Sequence, residues 1–142
     1  MNPSHAPFTP TGLHSRPVAL GDSAVVVFNH LREQLDVLHC SGGIARIPMP
    51  EMRVDWHFPI PHGAATLDSQ IVFLWSNPVV KRFDGTHGVL WDPEQGVQSK
   101  VLFEGDIILV GGSPQGLFLV EQDIVPTTMR IPADRFRRLF ER

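Results

Sequence analysis

The chain has 142 residues, of which 42% are hydrophobic and 19% charged, and its net charge is −3. A chain of this length and balance suits one globular domain with its own core, and a lone cysteine excludes an internal disulfide. The acidic net charge argues against nucleic acid or an anionic membrane as a partner, since proteins that bind such surfaces carry a basic excess.

The amino-terminal residues differ from the rest of the chain. Residues 1–17 contain four prolines and no apolar periodicity, so we expect an extended or disordered lead-in to a single β domain over 18–142. This stretch also lacks the cationic start and apolar run of a secretory signal. The resulting expectation is a cytoplasmic protein.

Short apolar runs separated by turn formers come next, and they predict β-strands. The first three lie at 24–28, 34–40 and 43–49. Residues 29–40 leave a helical alternative open, because Leu31, Leu35 and Leu38 would share one helical face.

The second half of the chain predicts a series of hairpins. Frequent turn formers predict a long connection over 49–65, and the apolar run at 69–75 predicts a buried strand. From Asp84-Gly85 onward, glycine-containing turns join apolar runs, and Gly85 is expected at positive φ. The tail predicts a short carboxy-terminal helix whose apolar face is formed by Phe136, Leu139 and Phe140.

Three of the most apolar strands begin in a similar way. Asp22, Asp68 and Asp106 precede them and are 46 and 38 residues apart. Periods near 40 to 45 residues with several short strands are typical of propeller blades. The pattern predicts an all-β protein of about three propeller-blade-like antiparallel repeats, with a β-sandwich or barrel as the alternative.

Residues 84–106, DGTHGVLWDPEQGVQSKVLFEGD, resemble the end of a WD-repeat blade. In such a blade an Asp-Gly turn leads into a strand ending in Trp-Asp, followed by a turn and the outer strand. The resemblance implies four-stranded blades, a role in binding other macromolecules, and a structural core position for Trp91. Because propellers have four to eight blades, three repeats further predict that two chains pair into a homodimer.

Sequence patterns for catalysis are weak. No Gly-x-Ser-x-Gly elbow or phosphate-binding loop occurs, so we predict no catalytic residues, no metal site and no cofactor. His57 and His62 are five residues apart in a proline-rich segment, and with His87 they make a metal-dependent enzyme one alternative.

The predicted function is a non-enzymatic protein-binding module, namely an inhibitor, immunity-type or adaptor protein that uses loops of a β scaffold. Trp56 is flanked by polar residues and is a candidate contact, and Arg135 and Arg138 belong to a basic patch suited to an acidic partner. The predicted binding residues are Trp56, His57, His62, Arg135 and Arg138. A small glycan-binding, lectin-like protein is a further alternative, because exposed tryptophans stack on sugars.

Overall fold

A computed structural model describes residues 14–52, 58–77, 85–113, 116–122 and 125–141. The strands in these ranges are β1 (Val18–Leu20), β2 (Ala24–Asn29), β3 (Gln34–His39), β4 (Ile44–Pro48), β5 (Ile60–Leu67), β6 (Gln70–Ser76), β7 (Thr86–Asp92), β8 (Val97–Phe103), β9 (Asp106–Ser113), β10 (Gly116–Gln122) and β11 (Thr127–Pro132). The helices are a 3-10 turn at Pro50–Met52 and α1 (Ala133–Arg138). Neither described helix is long and apolar enough to cross a membrane.

The strands form three antiparallel sheets, each from one continuous part of the chain. Sheet 1 has the order β1-β2-β3-β4, sheet 2 the order β5-β6-β7-β8, and sheet 3 the order β9-β10-β11. The prediction of an all-β protein with three successive antiparallel units and a short carboxy-terminal helix is confirmed. The barrel alternative is wrong for the described strands, because no sheet that they form closes on itself.

Sheet 2 is the middle layer of a three-layer stack. In its central strand, Ile71, Phe73 and Trp75 pack in the core shared with sheet 1, whereas Val72 and Leu74 pack in the core shared with sheet 3. The second core also contains Phe136 and Phe140 from the end of the chain. Sheet 2 is therefore covered on both faces.

The first strands of the three sheets lie side by side, with β5 in contact with both β1 and β9. Gly63 passes Leu109 so closely that a Cβ at residue 63 would lie 2.2 Å from the Leu109 carbonyl oxygen. Farther along the same strands, Gly112 faces the Thr66 carbonyl oxygen. Because both contacts advance together along the chain, β5 and β9 run in the same direction.

Three sequence interpretations need correction. Residues 49–65 are not one long connection, since Ile60–Leu67 forms β5. The helix over 29–40 is also wrong, because β2 and β3 flank a turn there. Asp106 begins a strand, whereas Asp22 and Asp68 lie in the first hairpin turns of sheets 1 and 2, so Asp106 is not equivalent to them.

Arg137 connects α1 to sheet 2 through side-chain contacts. Its guanidinium donates to Gln70 Oε1 at 2.9 Å and contacts the Asp68 carboxylate in the β5–β6 turn. A third contact, from Arg137 to Asp134 at 3.1 Å, stays within the helix. The helix is thereby held against sheet 2 as well as sheet 3.

Candidate functional site

The predicted site residues do not form one cluster. Trp56 and His57 lie outside the described residues. His62 lies in β5 and is only 6% exposed, so its predicted place in a loop is wrong. Arg135 and Arg138 are exposed on α1.

His62 belongs to a buried polar array that sequence reasoning missed. Its Nδ1 lies 2.8 Å from the Ile107 carbonyl oxygen and 3.4 Å from Asp106 Oδ1, and its Nε2 lies 3.0 Å from Ser76 Oγ. A carbonyl oxygen only accepts, so Nδ1 carries the proton and Nε2 accepts from the Ser76 hydroxyl. The β5 register shifts between Pro61 and Gly63, and this bulge sets the direction of the His62 side chain.

This array resembles a nucleophile, base and carboxylate in its order of contacts. However, Ser76 is 3% exposed, so no substrate reaches its hydroxyl in this conformation. The shorter of the two Nδ1 contacts goes to the Ile107 carbonyl and not to the Asp106 carboxylate, and a carbonyl cannot take the role of the carboxylate in such a triad. The array therefore connects sheets 2 and 3 as a structural element.

The alternative of a metal-dependent enzyme is not supported by the arrangement of the described residues. No group of three or more His, Cys, Asp or Glu side chains there is placed to hold a metal ion. Both ring nitrogens of His62 already have protein partners, and the His87 ring stacks on Trp75 at a centroid distance of 5.4 Å.

Sheet 3 has an apolar surface turned away from the core, which we call the open face. Phe118 is 39% exposed there, and Ile108 and Val120 are half-buried. Val120 lies opposite Ile108 in the register, and Phe118 lies opposite Arg130 on the other neighbouring strand. The open face is thus a contiguous apolar patch beside a cationic side chain.

Sheet 3 ends one strand earlier than sheets 1 and 2, so its third strand forms the edge. Strand β11 is at the end of the strand order, and among the described elements only β10 pairs with it. Thr127, Thr128 and Arg130 are exposed along β11, and Met129 and Ile131 are half-buried. We call the unpaired side of β11 the free edge.

The free edge lies in a basic part of an acidic chain. Residues 127–141 contain four arginines against two carboxylates, Asp134 and Glu141. Arg137 is bound by Asp68 and Asp134, whereas none of the other three forms an ion pair with a described residue. Those three exposed side chains are Arg130, Arg135 and Arg138.

A third surface feature is a cavity of about 240 Å³ between the turns of sheets 1 and 2. Trp91 and His39 line it together with the hydroxyl-bearing Ser23, Thr66 and Ser69. Trp91 is half-buried and also packs against the core between these sheets. The remaining lining residues, Leu20, Ala24, Ala45, Ile71 and Pro93, are apolar, so the cavity is mainly apolar with an aromatic ring at one side.

Searches of family models, of curated proteins and of solved structures found no match to this chain.

Proposed function

We propose that this protein is a non-enzymatic protein-binding module, with an inhibitor, immunity-type or adaptor role, and that sheet 3 carries its binding surface. The observation that carries the proposal is the open face. Phe118, Ile108 and Val120 leave apolar area on a sheet whose opposite face packs against sheet 2 and α1. Contiguous apolar patches with an aromatic centre and a neighbouring arginine are typical of protein interfaces.

A buried polar array favours binding over catalysis. The Ser76 and His62 side chains bind to each other between strands and are buried. By contrast, the open face and the exposed arginines are directly accessible. The accessible chemistry of the described residues is that of a binding surface.

The experiment compares two exposed apolar side chains. Tagged protein captures partners from its native lysate, and Phe118→Ser is compared with Leu31→Ser, a matched loss of an exposed side chain in the β2–β3 turn. We expect capture by the wild type and Leu31→Ser, with loss in Phe118→Ser. Equal capture by all three proteins would contradict sheet 3 as the binding surface.

A second copy of the chain is a further proposed partner for the open face, and it would occupy this face in place of another protein. Three stacked sheets correspond to half of a six-bladed propeller, and a second copy related by a twofold axis would bring the open face against the outer face of sheet 1. That outer face has exposed Val25 and half-buried Leu38 and Ile44. Light scattering at micromolar concentration should give a mass near twice 15.8 kDa. A monomer mass in wild-type protein would contradict the paired ring.

Glycan binding is a second candidate, favoured by the Trp91 cavity. An indole ring in a mainly apolar lining suits the apolar face of a sugar, and Ser23, Thr66, Ser69 and His39 are lining residues that carry hydrogen-bonding groups. Sugar-induced increases in melting temperature should disappear in Trp91→Leu and persist in Phe118→Ser. No stabilisation by any member of a broad sugar panel would count against this candidate.

A further inference from the structure

We propose that the free edge of β11 accepts an extended acidic segment of another protein as the fourth strand of sheet 3. This inference rests on the protein-binding function and names the chemistry of the partner. Strand addition supplies affinity through backbone hydrogen bonds and specificity through alternate side chains.

The first argument is the strand count. Sheets 1 and 2 have fourth strands, β4 and β8, at the position where sheet 3 stops with β11. After β11 the chain turns at Pro132 directly into α1, which packs against β10 and β11 instead of returning along the edge. The outward backbone groups of β11 therefore have no partner among the described strands, and such edges pair readily with another chain.

The second argument is the pair of faces that an added strand would extend. Met129 and Ile131 belong to the core side, where they pack near Phe136 and remain half-buried. Thr128 and Arg130 lie on the opposite side, next to the open face. A segment in which apolar residues alternate with acidic ones would cover the first pair and place a carboxylate across from Arg130, an arrangement that stabilises neighbouring strands.

The third argument selects the partner by charge. If two copies paired antiparallel through their β11 edges, basic strands would face each other, and like charges across strands destabilise pairing. Arg135 and Arg138, exposed on the helix that follows, extend the same positive character. The occupant is therefore a segment of different sequence and opposite charge.

The test uses a soluble probe and full-length, isotope-labelled protein. The acidic peptide is acetyl-Thr-Val-Glu-Val-Glu-Val-Thr-amide, and the basic peptide replaces glutamate with lysine. We expect the acidic peptide to shift the amide resonances of β11 and to bind Arg130→Glu about fivefold more weakly. The matched control, Arg46→Glu on exposed β4, should bind as the wild type, and the basic peptide should prefer Arg130→Glu.

Two measurements separate strand pairing from simple charge attraction. N-methylation of alternate peptide amides should abolish binding when it falls on the pairing side and leave binding intact on the other side. In the free protein, outward β11 amides should exchange quickly with solvent. Slow exchange of every β11 amide would show that the edge is already covered and would overturn the proposal.

Other outcomes also overturn it. These are no change in β11 resonances, equal weakening by both arginine variants, or concentration-dependent protection of the outward β11 amides in protein alone, which would assign the edge to a second copy. Failure of the broader function has a different signature. If the peptide fails but Phe118-dependent capture from lysate persists, the edge proposal falls and protein binding stands.

Discussion

The central sheet and the last sheet are built from similar apolar strands, but they are covered differently. In β6 every residue from Ile71 to Trp75 is buried, whereas β10 alternates between buried Leu117 and Leu119 and exposed Phe118. A continuous apolar run marks a strand packed on both faces, and alternation marks one packed on a single face. For these two sheets, the spacing of apolar residues in the central strand therefore indicates whether the sheet is covered on both faces or on one.

The largest expected loss of stability comes from adding a side chain where sheets 2 and 3 approach each other closely, at Gly63. Gly63→Ala places a Cβ 2.2 Å from the Leu109 carbonyl oxygen at a φ of 124°, and we expect a loss of about 4 kcal/mol in unfolding free energy. Gly111→Ala is the control, because no atom lies within 4 Å of its added Cβ. Urea unfolding measures both, and equal losses would show that the sheets do not approach at Gly63.

The next prediction compares how much a side chain between sheets 2 and 3 and a side chain on the open face contribute to the free energy of unfolding. Leu74→Ala removes a side chain buried between sheets 2 and 3 and should cost about 3 kcal/mol. Val120→Ala, on the half-buried open face, should cost less than about 1 kcal/mol in the monomer. Urea unfolding midpoints of the two variants, compared at an unchanged dependence of unfolding free energy on urea concentration, measure both losses. A Val120→Ala loss as large as that of Leu74→Ala would mean that the open face is covered.

Gly85 tests a turn that leads into the middle sheet. Its φ is 123°, which confirms the predicted positive value, and an added Cβ would lie 2.4 Å from the Phe103 carbonyl oxygen. Asp84, the other residue of the predicted turn, lies outside the described residues. Gly85→Val should therefore destabilise the fold by on the order of 1–3 kcal/mol. An unchanged melting temperature would refute this assignment.

The smallest effect concerns the polar connection between the sheets. Ser76→Ala removes the hydroxyl that donates to His62 Nε2 and leaves a buried ring nitrogen unpaired, at a cost of about 1.5 kcal/mol. Thr128→Ala, on the exposed side of β11, should cost less than about 0.5 kcal/mol. Thermal unfolding at neutral pH distinguishes them. No difference between the two variants would mean that the Ser76 contact contributes nothing.

Local patterns were sufficient to predict much of the fold. The strands after residue 85 and the final helix were predicted because turn glycines and helical spacing act over a few residues. Strand β5 was missed because Pro59, Pro61 and Gly63 have the composition of a loop. Contacts with β6 and β9, which no local pattern reports, stabilise it as a strand with a bulge at His62.

The candidate surface was predictable only in part. Exposure of Arg135 and Arg138 follows from the spacing of the apolar residues around them in the helix. The array at His62 joins residues 14 and 44 or more positions apart, and no sequence motif connects them. Phe118 was not singled out, because its exposure depends on which described sheet lies at the end of the stack, and no local pattern reports that order.

The construction of each sheet from one uninterrupted stretch has a consequence for synthesis on the ribosome. Sheet 1 is complete once residue 48 has emerged, and sheet 2 once residue 103 has emerged. Each later sheet can therefore pack against a sheet that has already formed. Most paired strands are neighbours in the chain, and such local pairing favours rapid folding. Arg137 contacts a turn made some 70 positions earlier, so the contacts of α1 with Gln70 and Asp68 form only after all three sheets have emerged.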